Sequence, residues 1–279
     1  MRRIAAIGLA ISALLGMGAA PARGASARPG FHLIFADGFN SPTKLGSFSG
    51  CDNNVDTPQA YCSGLTGAMR ENWWAYPAGW PDTATQRGYP VGGYYDPAAT
   101  LWVSPGPWGD GQLHIRMWRG AAGPVHSAAV VPKRLMGLRY GKVEERFRVS
   151  TAAPGYKSAH LLWPDSATAC PNCEEDFPEG NWNGAIYAFA HHKNSIGGDQ
   201  DAYSSGATFM SWHTSDIIWQ PGSVTFELDG KVIGRSTTAV PNADMSWIIQ
   251  NESALGGPSA APNTWAQLDV TYVKGWSWP

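Results

Sequence analysis

Ser223-Val224-Thr225-Phe226-Glu227-Leu228-Asp229-Gly230-Lys231-Val232-Ile233 reads as a strand, a turn and the start of a second strand. Apolar and polar residues alternate with period two from Ser223 to Leu228, the pattern of a strand with one buried face. Asp229-Gly230 then supplies the positive backbone angles that a two-residue hairpin needs, so Lys231-Val232-Ile233 returns antiparallel to it. The same grammar recurs along the chain. Gln112 to Trp118 alternates, and Lys142 to Val149 does so less cleanly. The last strand is expected over Ala266 to Val273, with Leu268, Val270 and either Tyr272 or Val273 inward. No segment sustains a 3.6-residue apolar period, and no internal repeat or linker divides the chain. These features predict an all-β protein, a jelly-roll β-sandwich of two antiparallel sheets.

The composition bounds the rest. Thirty-three glycines and 21 prolines punctuate many short elements, and 14 tryptophans offer flat apolar surface for sugar rings or for a core. Residues 40–110 are the least regular part, as in Trp73-Trp74-Ala75-Tyr76-Pro77 and Gly92-Gly93-Tyr94-Tyr95-Asp96-Pro97. Met1-Arg2-Arg3, the apolar run from Ile4 to Gly18 and the small residues after it have the form of a secretory signal peptide over 1–27. A single domain over 28–279 is then expected, soluble and extracellular. Export makes the cysteines readable as disulfides, with proximity favouring Cys51–Cys62 and Cys170–Cys173. A net charge of -2 gives no support to a nucleic-acid or membrane partner. A monomer is the default expectation.

Charge is scarce, at 15% of residues, yet Pro171-Asn172-Cys173-Glu174-Glu175-Asp176-Phe177-Pro178-Glu179-Gly180-Asn181-Trp182 sets four carboxylates within six positions. On a strand, Glu174 and Asp176 share a face and strict alternation sends Glu179 to the other. A β-bulge between Asp176 and Glu179 would return Glu179 to the face of Glu174, and Pro178, which has no N–H for a ladder, suits a bulge. Three carboxylates on one face repel one another, which retaining glycoside hydrolysis can use. One attacks the anomeric carbon, and a second, about 5–5.5 Å away, serves as acid and then base. A solvated or calcium-binding acidic loop is the plain alternative.

The cluster resembles the E-x-D-x-x-E signature of glycoside hydrolase family 16, whose fold is a jelly-roll sandwich with a concave substrate cleft. Other stretches resemble family motifs in the same order. They are Asp37-Gly38-Phe39-Asn40, Tyr140-Gly141-Lys142-Val143-Glu144-Glu145-Arg146-Phe147, Trp212-His213-Thr214 through Trp219-Gln220-Pro221-Gly222 to Asp229-Gly230, and Gln250-Asn251 with Gly256-Gly257. The resemblance implies Glu174 as nucleophile, Asp176 as assisting carboxylate and Glu179 as acid/base. The sequence also departs from the family pattern. Glu175 replaces an aliphatic residue and would put a further carboxylate on the opposite face, and His160 stands where the family often has Trp. Ser215 replaces a Tyr, and Thr271 stands where many members have a calcium-binding Asp, so the resemblance does not extend cleanly to a structural calcium, although Asp269 lies on the same strand face.

Further candidates surround the cluster. His191 and His192 end a strand expected over Gly184 to Ala190, where either could hydrogen-bond a sugar hydroxyl or cap a strand end. Trp182 could stack on a sugar ring or fill the core. His160 and His213 are taken as cleft-lining, Trp212 and Trp219 as core, and Glu144, Glu145 and Arg146 as a solvated face with one cross-strand ion pair. No organic cofactor or metal is required by this chemistry. The expected function is a secreted retaining endo-glycosidase acting on a β-linked polysaccharide, a β-glucan first and a β-galactan as the alternative. A lectin-like binder on the same sandwich is the non-catalytic alternative. A polysaccharide lyase lacks the basic residues its acidic substrate would need. Nucleophile elbow, phosphate loop and H-E-x-x-H zinc helix are all absent from the sequence.

Overall fold

The computed structural model describes residues 30–55, 57–106, 111–194 and 199–279; the expected signal peptide lies outside them. Four short strands, β1 (His32–Asp37), β2 (Trp73–Ala75), β3 (Gly93–Tyr95) and β4 (Leu101–Pro105), occupy the irregular first third. A run of longer strands follows: β5 (Gly111–Arg119), β6 (Val125–Pro132), β7 (Gly141–Thr151), β8 (Tyr156–Pro164), β9 (Glu174–Asn181) and β10 (Ala185–His191). The chain then forms β11 (Gln200–Thr208), β12 (His213–Gln220), β13 (Ser223–Leu228), β14 (Lys231–Ser236), β15 (Met245–Ser253) and β16 (Thr264–Ser277). The α-helices among the described residues are four to six residues long, as the missing 3.6-residue period implies.

The strands pair in the order β11-β10-β9-β8-β15-β6-β5-β16-β7-β12-β13-β14, one continuous path. It bends between β6 and β5, where Trp118 pairs with His126 and Arg119 with Val125. The two expected sheets are therefore the two halves of one folded sheet, nearly closed into a barrel. At the free ends, the Tyr203 hydroxyl of β11 donates to the Arg235 carbonyl of β14. Gly234 permits that closure, because a Cβ there would lie 2.1 Å from the Tyr203 ring. All the main pairings are antiparallel, and β3 adds parallel to β6.

The core between the halves is filled by alternate residues of each strand, among them Phe147, Leu162, Trp219, Phe226, Trp247 and Leu268. The hairpin forms as its sequence requires: Asp229 and Gly230 take φ of 52° and 75°. On β16 a bulge between Val270 and Tyr272 decides the open alternative in favour of Val273, which is fully buried. Both disulfides form in the expected pairing, and Cys170–Cys173 staples the turn that delivers the chain to Glu174.

Two expectations fail here. Glu144 and Glu145 are buried. Glu145 follows the inward parity of Val143 and Phe147 and meets His160 Nδ1 at 2.6 Å. Glu144 points the other way, but Lys142 at 3.0 Å and Lys274 at 3.5 Å cover it. Trp219 is core, whereas Trp212 is half-buried on the outer face, under the guanidinium groups of Arg146 and Arg148.

Candidate active site

The half formed by β11, β10, β9, β8, β15 and β6 carries the acidic cluster on β9. Its register shows how the cluster is assembled. Against β8, Glu179 pairs with Ala159 and Asp176 with Leu161, so three steps on β9 match two on β8. The same offset appears against β10, where Glu179 pairs with Tyr187 and Asp176 with Phe189. The bulge thus falls at Phe177-Pro178, where proline has no ladder hydrogen bond to lose, and the peptide before Pro178 is cis. Glu174, Asp176 and Glu179 come to one face; Glu175 and Phe177 turn into the core.

The three carboxylates sit in different surroundings. The Glu174 side chain is 26% exposed, Glu179 20% and Asp176 1%. Burial, then the charge of Asp176, pushes the Glu174 carboxyl well above its ordinary range, against a weaker pull from His191. Burial and Glu179 push Asp176 up as well, opposed chiefly by Lys157. Glu174 and Asp176 therefore do not both ionise easily near neutrality, which is the condition for sharing a proton. His191 Nε2 lies 3.2 Å from Asp176 Oδ2 and 3.9 Å from Glu174 Oε2. Glu174, Asp176 and His191 offer ligand-type atoms within 4.8 Å of one another. Glu179 accepts a 2.8 Å bond from the Lys157 ammonium.

Glu174 opens onto a cleft of about 590 Å³. Trp163 of β8, 42% exposed, forms one side, and Tyr76, Trp80, Arg87 and Tyr95 form the facing wall. A buried carboxylate anchors that wall. Asp82 accepts from Thr85 N at 3.0 Å and Gly93 N at 2.9 Å through one oxygen, and from Ser253 N at 2.9 Å through the other. Glu252 of β15 adds a second tie, accepting from the Tyr95 hydroxyl at 2.5 Å and Thr83 Oγ1 at 3.0 Å.

The outer candidates divide sharply. His191 belongs to the site, opposite Glu174 across the β9–β10 pair. His192, one residue on, takes the other face and lies between Asp199 at 3.0 Å and Asp201 at 3.3 Å, which raise its pKa. Trp182 is fully buried with its indole N–H on Ser158 Oγ at 2.6 Å, so it is core. His160 is equally buried, because it shares the inward parity of Ser158 and Leu162, and it bridges Glu145 and Asn251 between the halves. His213 lies on β12 in the other half, where it holds Asp229 at 2.8 Å and the Thr208 carbonyl at 3.1 Å. Asp269 also lies in that half, accepting from His114 Nδ1 at 2.7 Å and Gln267 Nε2 at 2.8 Å.

Sequence reasoning missed Lys157, Trp163, Tyr187 and Glu252. Outward parity on β8, counted from Ala159 beside Glu179, would have found the first two. Glu252 depended on knowing that β15 pairs with β8.

No family model matches the chain, and neither does any curated protein. Solved structures do. A non-specific endo-β-1,3(4)-glucanase from family GH16 superposes at TM-score 0.63 and 17% identity, covering 90% of this chain and 93% of that one. The chain has the fold of the family 16 glucanases. The catalytic domain of an endo-1,3-β-glucanase (laminarinase) from Thermotoga petrophila gives 0.62 and 17%, with 89% and 98% covered. An immunostimulatory antigen and pseudo β-1,3-glucanase of Mycobacterium tuberculosis gives 0.59 and 19%, with 88% and 98% covered.

Proposed function

We propose that the protein is a secreted, retaining endo-glycosidase that hydrolyses a β-linked polysaccharide, a β-glucan in the first place. One observation carries the reading: the bulge at Phe177-Pro178 brings Glu174, Asp176 and Glu179 to one face, and Glu174 there opens onto a cleft lined with aromatic side chains. The endo-acting glucanases named above share the fold and support glucan as substrate. Trp163 and Trp80 in the cleft lining offer the flat apolar faces that sugar rings pack on.

In this reading Glu174 attacks the anomeric carbon while Glu179 protonates the leaving oxygen. Water, deprotonated by Glu179, then releases the sugar from Glu174. Asp176, hardly exposed and beside both glutamates, takes up the proton that Glu174 must lose to attack, and His191 is placed to stabilise the resulting charges.

The test is reducing-end release from β-1,3-glucan, mixed-linkage β-glucan, xyloglucan, agarose and β-galactan by the wild type and Glu174→Gln side by side. Release by the wild type alone supports the proposal and names the polymer. Binding without release from any polymer, by both proteins, identifies a lectin instead.

A further inference from the structure

We propose that Lys157 controls the protonation state of Glu179, as a buried ammonium that alternates between Glu179 and Glu252 during the reaction. The inference rests on the glycosidase reading for its purpose, but not for its geometry.

Lys157 occupies an outward position of β8, yet its side chain is only 9% exposed. Burying an ammonium is costly unless anions and acceptors surround it. Its Nζ lies 2.8 Å from Glu179 Oε1 on one side. On the other side its direct cross-strand partner is Glu252 of β15, itself 1% exposed. Residues so paired have their Cβ atoms about 5 Å apart. Glu252 Oε1 takes the bonds from Tyr95 and Thr83, whereas its buried Oε2 takes none. A buried acceptor gains from a donor brought to it. The ammonium has three donors, so turning the end of its flexible stem would satisfy that oxygen. Burial pulls the Lys157 pKa down, but Glu179 and Glu252 outweigh it and the net shift is upward, so the amine is charged where it stands.

The other charged and titratable groups around the pair come from two strands and the cleft wall. Glu174 and Asp176 lie on β9, Tyr187 opposite Glu179 and His191 lie on β10, and Asp82 and Tyr95 border Glu252. Lys157 is the cation in this group that touches Glu179.

An acid/base residue must hold a proton in the first half-reaction and lack one in the second. With Lys157 on Glu252, Glu179 can carry its proton. As the glycosidic C–O bond breaks and Glu174 bonds the anomeric carbon, that proton passes to the leaving oxygen and the ammonium moves to the new carboxylate. Water then attacks, the bond to Glu174 breaks, Glu179 takes the water's proton, and Lys157 returns to Glu252. Lys157 is thus a positioning residue.

The test is a carboxyl ¹³C NMR titration of Glu179 in wild type, Lys157→Met, Lys157→Arg and Glu252→Gln, together with the pH profile of kcat/KM. Lys157→Met should move the Glu179 midpoint and the alkaline limb of activity to higher pH. Glu252→Gln should move both lower, because the ammonium then has Glu179 alone. Lys157→Arg, which keeps the charge, should reverse most of the Met shift. If glycan is cleaved but the midpoint moves in neither Lys157→Met nor Glu252→Gln, the proposal is overturned and the glycosidase reading stands. If the midpoints move in opposite directions but no glycan is cleaved, the control by Lys157 stands and the glycosidase reading fails. Should Lys157→Met not fold, an unmoved midpoint in Glu252→Gln suffices to overturn the proposal.

Discussion

Asp269 on β16 and Asp176 on β9 are buried to almost the same degree, at 2% and 1% exposure, in opposite halves of the sandwich. Asp269 is met by His114 and Gln267, with Arg148 3.7 Å away, and these bonds hold its pKa below the ordinary value despite burial. Asp176 sits beside Glu174 and Glu179, and burial with the charge of Glu179 drives its pKa up against the pull of Lys157. In one half Asp269 holds strands together. The other keeps carboxylates in a state that weakens the fold, which a protein sustains where the strain has a use.

The largest expected effect separates the two halves by activity. Glu174→Gln should reduce glycan hydrolysis by roughly a thousandfold or more, the scale of losing a catalytic nucleophile, with melting temperature unchanged or raised. A comparable loss from a substitution at Asp269 that leaves the fold intact would break the contrast. In the other half, Asp269→Ala should cost about 3 kcal/mol in denaturant unfolding, because it strands His114 and Gln267. That contribution has a definite pH course. A lowered carboxylate pKa stabilises the fold above the ordinary value of 3.8, and the stability is lost as pH falls below it.

Trp163 and Trp182 sharpen the comparison within the cleft half. Trp163→Ala should weaken oligosaccharide binding about tenfold, near 1.4 kcal/mol, with little change in stability. Trp182→Ala should do the reverse, lowering stability first, since its ring is fully buried. The smallest effect concerns Glu175, whose carboxyl is raised well above 4.5 by burial and then by Asp176. A raised carboxyl favours the fold at low pH, and stability falls as pH rises above 4.5. Glu175→Gln should remove that decline and raise stability at neutral pH. Parallel stability–pH curves for the two proteins would contradict it.

These contrasts also mark what the sequence could disclose. The bulge was legible because Pro178 has no N–H and the acids on either side need a common face. The hairpin at Asp229-Gly230 was legible for an equally local reason. His160 and Trp182 were misplaced because a residue type does not say which way a strand faces, and here both turn inward. Glu144 and Glu145 failed for another reason: charge on a strand suggests solvent until its partners are known, and Lys274 and His160 come from distant strands. Lys157 and Glu252 meet across 95 residues of chain, by a register that only the folded sheet sets.

The most direct test of the central claim is ¹H NMR of the anomeric protons during the first minutes of β-glucan cleavage. A β-anomeric reducing end formed first, mutarotating later to the α form, is the result that Glu174 as nucleophile predicts. An α-anomer formed first would mean direct attack by water, and Glu174 and Glu179 could not hold the roles given to them here.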